Sequence, residues 1–304
     1  MTTWKKRALS AAALPLVLAG CKTIATGAVA DAVSEASDTY ARDDDPQLVK
    51  AAVPFGLKTM EGLLESQPKH EGLLRGLTSG FTQYSYAFVL QEADLAELSG
   101  RSAEAKAGRE RARKLLLRAR DYGLRGLEQK HPGLSARLKS AKDLEPALVE
   151  VKKEDVALLY WTAAAWALAI STAKGDMELV SELPAPVAMM RRGLELDESY
   201  DFGAFHEFFV TWDGSRTEAD GGGPAKAKSH LDRALALSDG KKLGPLVSYA
   251  ETVLVQTQNR AEFAKVLGQV LAADVNAAPQ FRLANVLAQE RARALLDHLD
   301  DLFA

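Results

Sequence analysis

Along most of the chain, apolar residues recur at intervals of three and four, the spacing of a helix face, and period-two alternation appears nowhere at length. Phe263, Val266, Leu267, Val270 and Leu271 fit an i, i+3, i+4, i+7, i+8 stripe. Leu283, Val286, Leu287, Leu295, Leu296 and Leu299 mark one side of a last helix. Ala and Leu dominate and consecutive β-branched residues are scarce, which favours helix over strand. The pattern predicts helices near 47–66, 71–98, 102–130, 156–173, 187–197, 200–212, 225–238, 245–257, 260–273 and 280–303. On the strongly basic 102–130 helix, Leu115, Leu116, Tyr122 and Leu127 are expected to point inward.

Breaker residues separate these segments. Gln67-Pro68 ends the first, Pro184-Ala185-Pro186 makes a turn, and 213–224 is a polar, glycine-rich loop. Asp43-Asp44-Asp45-Pro46 reads as a solvated helix N-terminus, with carboxylates at the positive end of the dipole. It lacks the glycine and distal glutamate of a calcium loop. Gly72, Gly76 and Gly80 repeat every four residues and predict close approach of a neighbouring helix in a soluble bundle. Val156 to Ala173 runs 18 residues without a charge. A membrane span is the rival reading, but the stretch is short and rich in Ala and Thr, so it is read as a central buried helix.

Three helix endings resemble one another: Leu63 to Pro68, Gly193 to Asp197, and Ala234 to Asp239 each close an amphipathic segment with an acidic or polar stop. Degenerate helix-pair repeats end this way. The expected fold class is therefore all-α, a tetratricopeptide-like helical repeat bundle or solenoid of about ten to twelve helices.

The first residues change the picture of where the chain resides. Lys5, Lys6 and Arg7 precede an uncharged, mostly apolar stretch from Ala8 to Val17, the length of a signal-peptide core. Leu18-Ala19-Gly20-Cys21 has the form of a lipobox, which makes Cys21, the only cysteine, the lipid-attachment residue. Residues 1–20 are then a lipoprotein signal peptide, 21–45 a lipid-anchored tether, and 46–304 an all-α tetratricopeptide-like domain. Each buried CH₂ of the lipid contributes about 0.8 kcal/mol, so several acyl chains hold such a protein on a bacterial envelope membrane. Lys22 stands where an inner-membrane retention aspartate would be, which points to the outer membrane, facing the periplasm.

Removing the three leader cations takes the formal charge from −3 to −6, which leaves no electrostatic footprint for nucleic acid. Catalytic signatures are absent. His206-Glu207 opens like a zinc-protease helix, but Val210 stands where the second histidine belongs. The five histidines are scattered, Gly221-Gly222-Gly223 lacks the Lys-Ser/Thr of a phosphate loop, and no Gly-x-Ser-x-Gly elbow occurs. No cofactor, metal site or enzyme activity is expected.

Longer segments carry a family resemblance. These are Val53 to Leu64, Gly80 to Phe88, Leu159 to Trp166 and Gly203 to Phe209. In the C-terminal half they are Gly222-Gly223-Pro224, Leu235-Ala236-Leu237-Ser238, Leu243 to Glu251, Leu271 to Asp274 and Arg282-Leu283-Ala284-Asn285. With the lipobox, they make the chain similar to the TatT family, the T component of tripartite ATP-independent periplasmic (TRAP) transporters. The resemblance implies a helical lipoprotein that assembles as a homotrimer and pairs with the periplasmic solute-binding protein of such a transporter. It also implies a small-molecule ligand, either an organic acid or a hydrophobic compound.

Aromatic residues at helical spacing are the candidates for lining a ligand site: Tyr84, Tyr86 and Phe88 on one helix, Trp161 and Trp166 on another, and Phe205, Phe209 and Trp212 with His206 on a third. Tyr84, His206 and Glu207 could supply polar groups. The alternative function is a tetratricopeptide-type envelope scaffold that binds proteins or peptides. An aromatic-lined interior favours the small molecule, whereas a concave face rich in Arg, Lys and Asn favours the scaffold.

Overall fold

The computed structural model describes residues 37–303 except Lys174. The leader, Cys21 and the tether up to residue 36 lie outside the described residues. No strand occurs among the described residues, and ten α-helices have eight residues or more. They are α1 (Pro46–Ser66), α2 (Glu71–Tyr84), α3 (Gln91–Leu98), α4 (Ser102–Lys130), α5 (Val156–Ser171), α6 (Pro184–Leu196), α7 (Ala204–Gly214), α8 (Pro224–Leu237), α9 (Arg260–Ala272) and α10 (Arg282–Asp297). The fold is all-α, as the periodicity predicts.

The acidic run does begin a helix. Asp45 caps α1, its Oδ1 accepting the amides of Gln47 and Leu48 at 3.0 Å, and Pro46 occupies the first turn, where a missing N–H costs nothing. The predicted 71–98 helix departs from regularity. Between α2 and α3 the backbone forms a π-helical turn over Ser85–Leu90. A second π turn, Ala250–Leu254, follows the short Gly244–Tyr249 helix, where Val255 N donates to Ala250 O, five residues back, at 3.1 Å.

α5 lies at the centre. Every residue from Val156 to Ile170 is buried or half-buried, because the helix serves two cores at once. Leu159, Ala163, Trp166 and Ile170 pack into a cluster with Met189, Phe205 and Phe209. Ala165 and Ala169 face a second cluster built from Leu73, Leu77, Phe81 and Leu116. A helix apolar on every side is thus explained by burial on every side. No helix among the described residues is long and apolar enough to cross a membrane.

Small residues set the close crossings. A Cβ on Gly126 would lie 2.6 Å from Leu158 Cδ2, and one on Gly123 would overlap Thr162, so α4 and α5 meet along these two glycines. Of the predicted glycine stripe, Gly80 receives a neighbour, Leu57 of α1, whose Cδ2 would stand 2.7 Å from an added Cβ.

The C-terminal third has its own core of Phe263, Leu267, Val270, Leu295 and Phe303. Two polar side chains hold its loops. Buried Asn285 accepts Leu243 N at 3.0 Å and donates to Lys241 O at 2.8 Å. Gln289 donates to the carbonyls of Val270 and Ala273 at 3.0 and 2.9 Å, closing the end of α9. Asn285 therefore ties together two of the family-like segments, Leu243 to Glu251 and Arg282 to Asn285.

Candidate ligand chamber

Tyr86 stands on the first π turn and leaves 57% of its surface accessible. Protein nevertheless crowds it closely enough to push its phenol up to about 12. Burial is the main cause, with Glu251, Glu207 and Asp94 adding to it and Arg291 opposing. The exposed Tyr86 ring with these acidic neighbours is the candidate chamber. The second π turn supplies the facing residue, Glu251.

Two ion pairs flank Tyr86. Glu251 Oε1 accepts from Arg291 Nε at 2.9 Å and also from Nη2. Arg291 Nη1 is buried with no hydrogen-bond partner. Asp94 Oδ2 lies 3.9 Å from the same guanidinium, while its Oδ1 accepts from Arg109 at 3.0 Å. In the other pair, Glu207 Oε1 is 2.6 Å from Lys242 Nζ. Lys242 also donates to Asp201 O at 2.9 Å and lies 5.7 Å above the Phe281 ring. Burial pushes both carboxyls, Glu207 and Glu251, above the usual range, and Lys242 and Arg291 respectively pull them back. Glu207 and Glu251 still keep 26% and 29% of their side-chain surface accessible.

An aromatic wall adjoins these pairs. Tyr160 packs edge-on to Trp161 at 5.0 Å and to Phe205 at 5.3 Å, and lies 5.4 Å from Tyr200. Burial, then Glu207 and Asp201, drive the Tyr160 phenol well above its ordinary value. Tyr200 is raised by burial and by Asp201, against a hydrogen bond with Trp161. Concave aromatic surface with a few convergent polar groups is what small-molecule recognition requires.

Of the predicted aromatic residues, Tyr86 is exposed and Trp161 half-buried, while most of the others lie in the core. Trp166 and Phe205 are fully buried, Tyr84, Phe88 and Phe209 nearly so. The Trp166 indole donates to Glu182 at 2.8 Å, and Phe205 fills the space left by Gly193. Tyr84 packs on Phe88 at 5.7 Å and its hydroxyl accepts from Arg111 at 3.3 Å. Trp212 is half-buried, stacked on Phe208 and covered by Arg216 at 4.7 Å.

His206 points away from any zinc-like arrangement and into a polar chain. Its Nε2 is 3.1 Å from Glu198, its Nδ1 is 2.8 Å from His230 Nδ1, and His230 Nε2 is 3.5 Å from Asp213. No group of three or more potential metal ligands forms among the described residues.

Tyr160, Tyr200, Lys242, Glu251 and Arg291 were not singled out by the aromatic pattern. Glu251 lies in a family-like segment, the one local signal pointing to it. Two surface clefts, of about 680 and 500 Å³, lie elsewhere, lined largely by charged residues such as Lys106, Arg113 and Asp121, Arg125. Neither contains an aromatic side chain.

Residues 42–303 match the family described as TRAP transporter T-component. A protein of Treponema pallidum (strain Nichols), described as an uncharacterized protein, is 30% identical over 266 residues. That alignment covers 87% of this chain and 82% of the other.

Proposed function

The chain belongs to the TRAP transporter T-component family, and on that premise we propose that it is a lipid-anchored, periplasm-facing accessory that handles a small ligand for a TRAP system. Family membership supports a role in TRAP transport, and this is not a family of enzymes. The observation that carries the finer reading is Tyr86, an exposed aromatic ring near the Glu207–Lys242 and Glu251–Arg291 pairs. Its aromatic neighbours favour a small molecule over the scaffold function, which would call for a concave face of Arg, Lys and Asn.

In this reading Cys21 carries the lipid, the tether sets the distance from the membrane, and a periplasmic solute-binding protein delivers ligand to the chamber or collects it. The assembly is a homotrimer. Lipid-assisted placement beside the membrane raises the local concentration of the docking surface, as tethering does for any linked pair.

Native mass spectrometry of a soluble form without the lipid anchor, residues 22–304, tests the proposal. A trimer carrying extra mass that denaturation releases supports ligand handling. A bare monomer that retains no mass and captures no solute-binding protein favours the scaffold function. Membrane fractionation of a Cys21→Ser variant tests the anchor separately: the protein should leave the membrane fraction.

A further inference from the structure

Among the described residues, Leu48 and Phe55 are the exposed large apolar side chains that share a helix, with 58% and 79% of their surface accessible. Both lie on α1. With Ala51, Thr59 and Gly62, all exposed, they follow one another at steps of three and four and so occupy one face. None of these five residues carries a charge. The Thr59 hydroxyl donates to Phe55 O at 2.9 Å, so its polar group is satisfied within the helix. Lys58, at the edge of the face, is ion-paired with Glu61.

Size and position say what covers this stripe. From Leu48 to Gly62 the helix rises about 21 Å and is about 10 Å wide, which gives roughly 200 Å² of surface. A stable contact between two proteins takes about 800 Å² from each partner. The stripe is too small to hold a second copy by itself. A lipid surface makes no such demand when a covalent anchor supplies the affinity, because a few apolar side chains at the headgroup boundary then suffice to set orientation.

The tether also joins the domain at this face. Tyr40, in the short helix Ser37–Ala41, packs against the core that contains Leu57, and its hydroxyl would stand 3.7 Å from a Cβ on Gly56, the residue after Phe55. Ser37 follows Cys21 by 16 residues, so even a taut tether reaches no more than about 55 Å. The stripe is thus beside the point where the anchored chain enters the fold.

We propose that the Leu48–Phe55 face of α1 rests on the bilayer surface, with both side chains at the headgroup boundary and the helix axis along the membrane plane. The proposal rests on the lipid-anchored reading. In it the lipid on Cys21 holds the protein at the membrane, and the stripe fixes which way the helical domain faces.

Single cysteines introduced into the full-length lipidated protein test it, since the lipid consumes the Cys21 thiol. Ala51→Cys on the stripe and Val149→Cys, an exposed position outside α1, are labelled with the fluorophore NBD. Each is mixed with phosphatidylcholine vesicles that carry or lack doxyl-labelled acyl chains. Flotation reads the anchor, and quenching reads the face. Doxyl lipid should quench the probe at 51 at least about 2-fold and leave the probe at 149 nearly unchanged. Adding Leu48→Ser and Phe55→Ser should remove the quenching at 51 while the protein still floats, with circular dichroism confirming the fold. A floating protein in which 51 is quenched no more than 149 overturns the proposal and leaves the anchor standing. A probe at 51 that turns apolar with rising concentration of residues 22–304 in the absence of vesicles assigns the stripe to a second copy and also overturns it. If the full-length protein does not float, the anchor falls and the proposal falls with it.

Discussion

Thr162 occupies the space that a side chain on Gly123 would need. Its Oγ1 would overlap a Cβ there, and its own Cβ would lie 2.9 Å away. The same hydroxyl donates to Leu158 O at 2.6 Å, so it cannot swing aside without losing a partly buried bond. Gly123→Ala should therefore destabilise by about 1–3 kcal/mol through overpacking. A urea melt should show a lower midpoint with an unchanged slope. Adding Thr162→Ala should recover only part of the loss, because the tight Cβ remains.

Trp166 and Tyr86 separate core from chamber. Trp166→Ala removes a fully buried indole and its bond to Glu182, and should cost about 3–5 kcal/mol. Tyr86→Ala leaves the core intact and should change stability by no more than about 0.5 kcal/mol. Thermal melts of the two variants, run side by side, check the contrast.

Asn285 holds two backbone groups of the Lys241–Leu243 loop. Asn285→Ala leaves a buried amide and a carbonyl without partners, which costs about 1–3 kcal/mol. Hydrogen exchange should show the Leu243 amide losing protection more than the amides of α5.

Acid should weaken the fold through the histidine chain. Burial lowers the pKa of His206, against its bond to Glu198, and burial followed by the neighbouring His206 lowers that of His230. Both rings bind protons less well folded than unfolded, so stability is full above the ordinary histidine value near 6.5 and declines as pH falls below it. Glu198, held down to about 2 by Arg233 and then by His206, stays ionised throughout that window. Denaturation midpoints from pH 7.5 to 5 should fall, and His230→Gln should flatten the slope. An unchanged slope in the variant would mean that the pair is not the source.

Helix positions were largely legible because local signals mark them. Pro46 and Pro224 begin α1 and α8 where predicted, and the stripe from Phe263 to Val270 is buried. The all-round burial of α5 could be read from 18 residues without a charge. The chamber was only half legible. Helical period sets Tyr86 opposite Tyr84 and Phe88, so one of the three had to face elsewhere, but periodicity alone does not tell which face is empty. Glu251, Lys242 and Arg291 join Tyr86 from segments more than 150 residues away, beyond any local pattern. The π turns left no mark either, since their i+5 bonding depends on packing and not on residue type.

Those two turns set where a one-residue deletion could be absorbed. A π turn holds roughly one residue more than an α turn of the same rise. Losing a single residue from Ser85–Leu90 or Ala250–Leu254 would tighten the turn into regular helix and leave the flanking faces where they are. Removing one residue at either turn should therefore redirect Tyr86 or Glu251 while the cores packed by the flanking helices keep their register.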